Sequence, residues 1–112
     1  MARLEDGEYG GQCVKYAGMT YFGKSFGVDY AREVYDASTV RKLNGPKSGC
    51  IACWGDGSGH VGVVEVWDSK TKTMTYSDSN RNWDEIVHRD EGITEEKMKK
   101  IASGFQGYVE FK

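Results

Sequence analysis

Gly59-His60-Val61-Gly62-Val63-Val64-Glu65-Val66-Trp67 is the segment from which the architecture can be built. Four valines crowd it, and β-branched side chains suit a pleated, half-buried strand. Asp68 to Lys72 reads as a turn, and Thr73 to Ser77 alternates polar and apolar residues, so the two runs form a hairpin. If Asp68 pairs with Lys72 across a three-residue turn, Ser69 to Thr71, Val66 falls opposite Met74 and Val64 opposite Tyr76. The same register puts Gly62 opposite Asp78 and His60 opposite Asn80. Strand side chains alternate with period two, so all of these share one face. Gly62 then leaves open space between His60 and Asp78. A two-residue turn would instead send His60 and Asp78 to opposite faces.

Outward from this hairpin, Cys50 to Trp54 is a short apolar run and Trp54 to Gly59 a glycine-rich turn. Ile86 and Val87 suggest another short strand, Thr94 caps a helix from Glu95 to Ala102, and Tyr108 to Phe111 forms a closing strand. The first half reads differently. Leu4 to Gln12 is a loop; from Cys13, residues Val14, Ala17, Gly18 and Tyr21 recur near helical spacing, with Gly23 as a stop. Asp29 is an N-cap for a second helix, Tyr30 to Leu43, burying Ala31, Val34, Tyr35 and Ala37 or Ser38, and ended by Asn44, Gly45 and Pro46. Helices followed by an antiparallel sheet are the α+β order. The expected architecture is N-terminal helices packed on a twisted antiparallel β-sheet, in one domain spanning 1–112.

Composition narrows the function. The chain is 38% hydrophobic, enough for one core, and its formal charge is −2 with both signs scattered. Duplex binding needs a clustered basic face, so nucleic acid is not the expected partner. Lys97, Lys99 and Lys100 follow Glu95 and Glu96 and read as a solvated helix face. No apolar run is long enough to span a membrane, and Met1 to Gly7 holds no secretory signal. The expectation is a protein made in the cytoplasm that either stays there or is released by a route outside this sequence, or else an excised domain. Three cysteines cannot all pair within one chain, which argues against a disulfide framework.

Cys13 is the candidate nucleophile. Gly10 and Gly11 precede it, where backbone can approach a ligand, and Gln12 can donate a hydrogen bond. A helix beginning at Cys13 has unpaired amides that favour a thiolate and can steady an oxyanion. His60, at a strand mouth beside a glycine loop, is the candidate base. Asp78 or Asn80 would bind one imidazole nitrogen and leave the other for the thiol; both also suit capping of the turn Ser79 to Asn82. Trp54 and Trp83 flank these motifs and are candidates for the groove lining. His88 lies in a polar stretch and reads as a surface or edge residue. Cys50 and Cys53 fall in a strand-like run that sends them to opposite faces, as core thiols and not as a redox pair or zinc site.

These segments resemble the CHAP family, the cysteine, histidine-dependent amidohydrolases and peptidases. Gly11-Gln12-Cys13-Val14-Lys15-Tyr16-Ala17 is similar to the family's Gly-Gln-Cys-x-x-Tyr-Ala helix start. Ile51-Ala52-Cys53-Trp54 followed by Gly59-His60-Val61-Gly62-Val63-Val64-Glu65 resembles its strand, loop and Gly-His-Val strand. Ser77-Asp78-Ser79-Asn80 resembles its Glu-x-Asn segment, with Asp78 where the family usually has Glu, and Gly107-Tyr108-Val109 resembles its closing strand. The resemblance implies a papain-like fold and peptidoglycan as substrate, cut as an N-acetylmuramoyl-L-alanine amidase or a stem or cross-bridge endopeptidase, as in phage lysins and autolysins. It implies Cys13 as nucleophile and His60 as base, with targeting left to a separate wall-binding domain or subunit. Some members bind calcium through an acidic loop before the cysteine. Glu5, Asp6 and Glu8 lie there, but Leu4 and Lys15 stand where such members have acidic ligands, so no metal is expected. Two rivals stay open: a papain-like peptidase or effector acting on proteins, and a wall-binding module without catalysis.

Overall fold

The computed structural model describes residues 4–112; Met1 to Arg3, part of the stretch searched for a signal, lie outside them. Six strands form one antiparallel sheet: β1 (Val40–Leu43), β2 (Cys50–Trp54), β3 (His60–Asp68), β4 (Thr73–Ser79), β5 (Val87–Thr94) and β6 (Phe105–Phe111). Their order across the sheet is β1-β6-β2-β3-β4-β5. The class is α+β, but helix is scarce. α1 spans only Cys13–Lys15 and continues as a π-helical turn, Tyr16–Thr20. A 3₁₀ turn covers Ala31–Glu33, and α2 covers Glu95–Lys99 behind the expected cap, Thr94, whose hydroxyl accepts from the Lys97 amide at 3.3 Å.

The expected helix from Tyr30 to Leu43 is not there. Ala31 and Val34 are buried as its pattern requires, yet the chain leaves the 3₁₀ turn and enters β1 at Val40. Thr39 and Val40 are β-branched, and the Thr39 hydroxyl donates to the Phe26 carbonyl at 2.6 Å. Val40 to Leu43 then pair with Phe111 to Tyr108. Tertiary pairing overrides a local helical period of marginal length.

The hairpin register is right at one end and displaced at the other. Val64 lies opposite Tyr76 and Val63 opposite Ser77, the expected pairing. Beyond a bulge between Val64 and Val66, Trp67 faces Met74 and Val66 faces Thr75, so Val66 is not opposite Met74 and is largely exposed. The turn is longer by one residue, since Asp68 pairs with Thr73. The bulge absorbs that residue, and the site end keeps its register.

Buried residues fall on the two sheet faces. Val61, Val63, Cys53 and Val109 pack with Cys13, Tyr16, Ala17, Phe26 and Val34. Ala52, Trp54, Val64, Tyr76 and Tyr108 pack with Met98 of α2. Cys50 and Cys53 belong to different clusters, are fully buried, and are unpaired, as a strand placement demands. Among the described residues, no helix is long and apolar enough to cross a membrane.

Candidate active site

His60 opens β3, and β4 brings Asp78 beside it. The imidazole Nε2 donates to Asp78 Oδ2 at 2.7 Å. Asp78 is fully buried, which a carboxylate tolerates only with donors around it. The Tyr76 hydroxyl donates to Oδ2 at 2.8 Å, and Arg81 Nε lies 3.1 Å from both carboxylate oxygens. The space beside Gly62 is therefore filled and not open: a Cβ there would stand 2.0 Å from the Tyr76 hydroxyl oxygen. Glycine at 62 is what lets Tyr76 reach Asp78. Asn80 does not share this contact. Its Oδ1 accepts from the Glu85 amide at 2.9 Å and its φ is +66°, so it shapes the turn after β4, while Asp78 holds the imidazole.

Cys13 arrives from the other face of the sheet. It is the first residue of α1, 9% exposed, and lines the same cleft as His60, close enough to raise the imidazole pKa. With Nε2 committed to Asp78, Nδ1 is the nitrogen left for the thiol. Burial alone would lower the imidazole pKa. Asp78, hydrogen-bonded to the ring, and the neighbouring Cys13 outweigh it, pushing the pKa up to about 9. Behind Cys13, Tyr16 is fully buried, its hydroxyl 2.7 Å from Ser77 Oγ. Of the two glycines before Cys13, Gly10 is packed tightly against protein, while Gly11 holds a left-handed φ of +72° with nothing closer than 3.9 Å to its Cβ position. A Cβ on Gly10 would lie 2.4 Å from Ser79 Oγ, and the amides of Gly10 and Gly11 both donate to the Glu85 carbonyl. Close packing against β4 and the turn beyond it explains Gly10.

A cleft of about 660 Å³ runs over this pair, lined by Gln12, Tyr30, Asp56 and Trp83 as well as Cys13 and His60. Trp83 is 79% exposed and holds a left-handed φ of +61°, an uncommon conformation for a bulky side chain. Trp54 corrects its expected place in the groove lining. It is fully buried; its indole N–H donates to the Lys99 carbonyl, and its ring packs behind His60 with centroids 5.5 Å apart.

His88 is half-buried on β5, opposite Asp78 in the β4–β5 register, and its ring pairs with Asp84 at 2.8 Å. In the loop before Cys13, Asp6 Oδ1 accepts the Arg89 amide and the Glu8 carboxylate accepts the Glu5 amide. Among the described residues, no group of three or more His, Cys, Asp or Glu is placed to hold a metal.

Tyr76 and Arg81 were not singled out from the sequence, although signals for both exist in it. Tyr76 lies two residues before Asp78 on the same strand, hence on the same face. The glycine one step along β3 is the matching void. Arg81, three residues after Asp78, is the nearest cation in the chain to a carboxylate that the hairpin buries.

No curated protein and no solved structure matches the chain. The CHAP domain model matches residues 4–80, a span that contains Cys13, His60, Asp78 and Asn80. With more than half its length matched, the chain belongs to the CHAP domain family, whose members are generally amidases and peptidases of peptidoglycan.

Proposed function

We propose that this chain hydrolyses an amide bond in bacterial peptidoglycan through Cys13, in a papain-like arrangement. Cys13 and His60 lining one open cleft, with the buried Asp78 holding the imidazole from behind, carry this reading. The Cys13 thiolate attacks the amide carbonyl carbon and forms the C–S bond. The backbone amide of Cys13, unpaired within its helical turn, and the Gln12 side chain on the cleft wall donate to the oxyanion. The His60 imidazolium passes its proton to the leaving nitrogen as the C–N bond breaks. The neutral imidazole then takes a proton from water, which attacks the acyl-enzyme and releases a carboxylic acid and the thiolate. Asp78 keeps the ring oriented through both steps.

Trp83 presents an exposed ring to the sugar or peptide flanking the bond. No metal takes part in this reading: the Asp6 and Glu8 carboxylates accept backbone amides, and chelator should leave the rate unchanged. Partner and targeting follow from the substrate, with a separate wall-binding domain or subunit supplying adhesion.

The test is digestion of purified peptidoglycan, with the new chain ends identified by mass spectrometry. Free alanine amines on stem peptides mark an amidase, and ends within the stem or cross-bridge mark an endopeptidase. Cys13→Ala should release neither. Undiminished lysis by that variant would exclude the mechanism, and new ends only in protein substrates would favour a peptidase of another kind.

A further inference from the structure

We infer that Arg81 is a positioning residue of this site: its guanidinium clamps Asp78 and draws off part of the carboxylate charge that would otherwise fall on His60. The inference rests on the proposed hydrolytic reading only in assigning that role a use.

Arg81 stands just beyond β4, beside the cleft, with its side chain 18% exposed. Nε lies 3.1 Å from each oxygen of Asp78, and Nη2 lies 2.7 Å from Asp90 Oδ2 on β5. The guanidinium carbon sits 5.7 Å from the centre of the Tyr76 ring. Arg81 thus spans two strands and touches two of the groups that define the Asp78 environment. A guanidinium is suited to this because its donors form a fixed fork that a lysine cannot reproduce.

The consequence is electrostatic. Asp78 Oδ2 already receives His60 Nε2 and the Tyr76 hydroxyl. Tyr76 is a neutral donor, since its own pKa is driven well above the ordinary value by burial and by Asp78. Arg81 is therefore the permanent cation that shares the Asp78 charge with the imidazole. The groups facing His60 are Cys13 from α1, Asp78 and Tyr76 from β4, and Arg81, with Asp29 and Asp56 on the more distant cleft walls. Remove Arg81, and the undivided charge of Asp78 holds the imidazolium more tightly. His60 then gives up its proton less readily to the leaving nitrogen.

The chain has two histidines, so ring resonances in an NMR titration are assigned with one His88→Gln control. In Arg81→Gln the His60 midpoint should rise by about one pH unit, and turnover on peptidoglycan should fall about tenfold. Arg81→Lys, with the charge but not the fork, should fall between wild type and Arg81→Gln. A midpoint that stays in place or drops in folded Arg81→Gln overturns the inference. Should that variant not fold, Asp90→Asn serves, at a position 37% exposed. Freed of its competitor, Arg81 leans on Asp78 and the His60 midpoint should drop; no change, or a rise, overturns the inference. The titration needs no substrate, so failure of wild type to digest peptidoglycan would count against the proposed function and leave this result standing on its own.

Discussion

Two buried ionic clusters lie in the β3–β4–β5 part of the sheet, and only one of them faces an open cleft. The first joins His60, Asp78 and Arg81, with side chains 8%, 0% and 18% exposed. The second joins Glu65 and Arg89 at 2.9 Å, both 4% exposed, with Arg89 Nη2 reaching toward the Tyr16 hydroxyl at 3.5 Å. Burial and pairing are nearly equal. The first opens on a cleft and contains an imidazole that shares that cleft with a thiol. In the second, Arg89 has its pKa raised further by Glu65 against the pull of burial, so it keeps its charge throughout the neutral range. A buried ion pair therefore does not mark a reactive site by itself. What marks one is a group able to exchange a proton, placed where a substrate can reach it. The second cluster serves the first at one remove: Tyr16, one turn beyond Cys13, is anchored to Ser77 beside it.

If that contrast is right, breaking each cluster should damage a different property. Asp78→Asn should give the largest effect. An amide cannot stabilise the imidazolium and offers the wrong partner to Nε2, so kcat should fall about 10³-fold. Muropeptide release measured at equal concentrations of folded protein checks it, and a loss under tenfold would place Asp78 in the structural class with Glu65. Glu65→Gln should do the reverse. It leaves the Arg89 cation buried with Nη1 already lacking a partner. Removing one member of a buried pair costs about 4 kcal/mol, seen as a lower Tm. The kcat of the protein that remains folded should be unchanged; a fall in kcat to match that of Asp78→Asn would merge the two clusters into one functional unit.

The same contrast explains what could be read in advance. The His60–Asp78 pairing was legible because period two along β3 and β4 puts both on one face whenever the register holds. It held through two deviations that cancel: a turn one residue longer, and a bulge beside Glu65. Alternation alone locates neither. Glu65, a charged residue amid valines, was the only hint that the strand deforms there. The segment from Tyr30 to Leu43 was misjudged because a helical period over so few residues is weaker than the edge pairing of β1 with β6. Trp54 was misplaced for a related reason. Flanking the motif in sequence does not say which side of the imidazole a side chain occupies, and Trp54 lies behind it.

Proton linkage gives the smallest of the three effects and separates the clusters through stability alone. The His60 pKa rises from 6.5 in the unfolded chain to about 9 when folded. A raised pKa means the folded state binds the proton more tightly, so the stabilisation is complete below pH 6.5 and is lost as pH climbs through 9. The difference between those values corresponds to about 3 kcal/mol. Urea unfolding followed between pH 6 and pH 10 should show stability falling across that window. In His60→Gln the component due to this proton should vanish, while Glu65→Gln, less stable throughout, should keep it. A decline of equal size in His60→Gln would mean that the proton is held elsewhere. The imidazolium would then no longer distinguish the open cluster from the closed one.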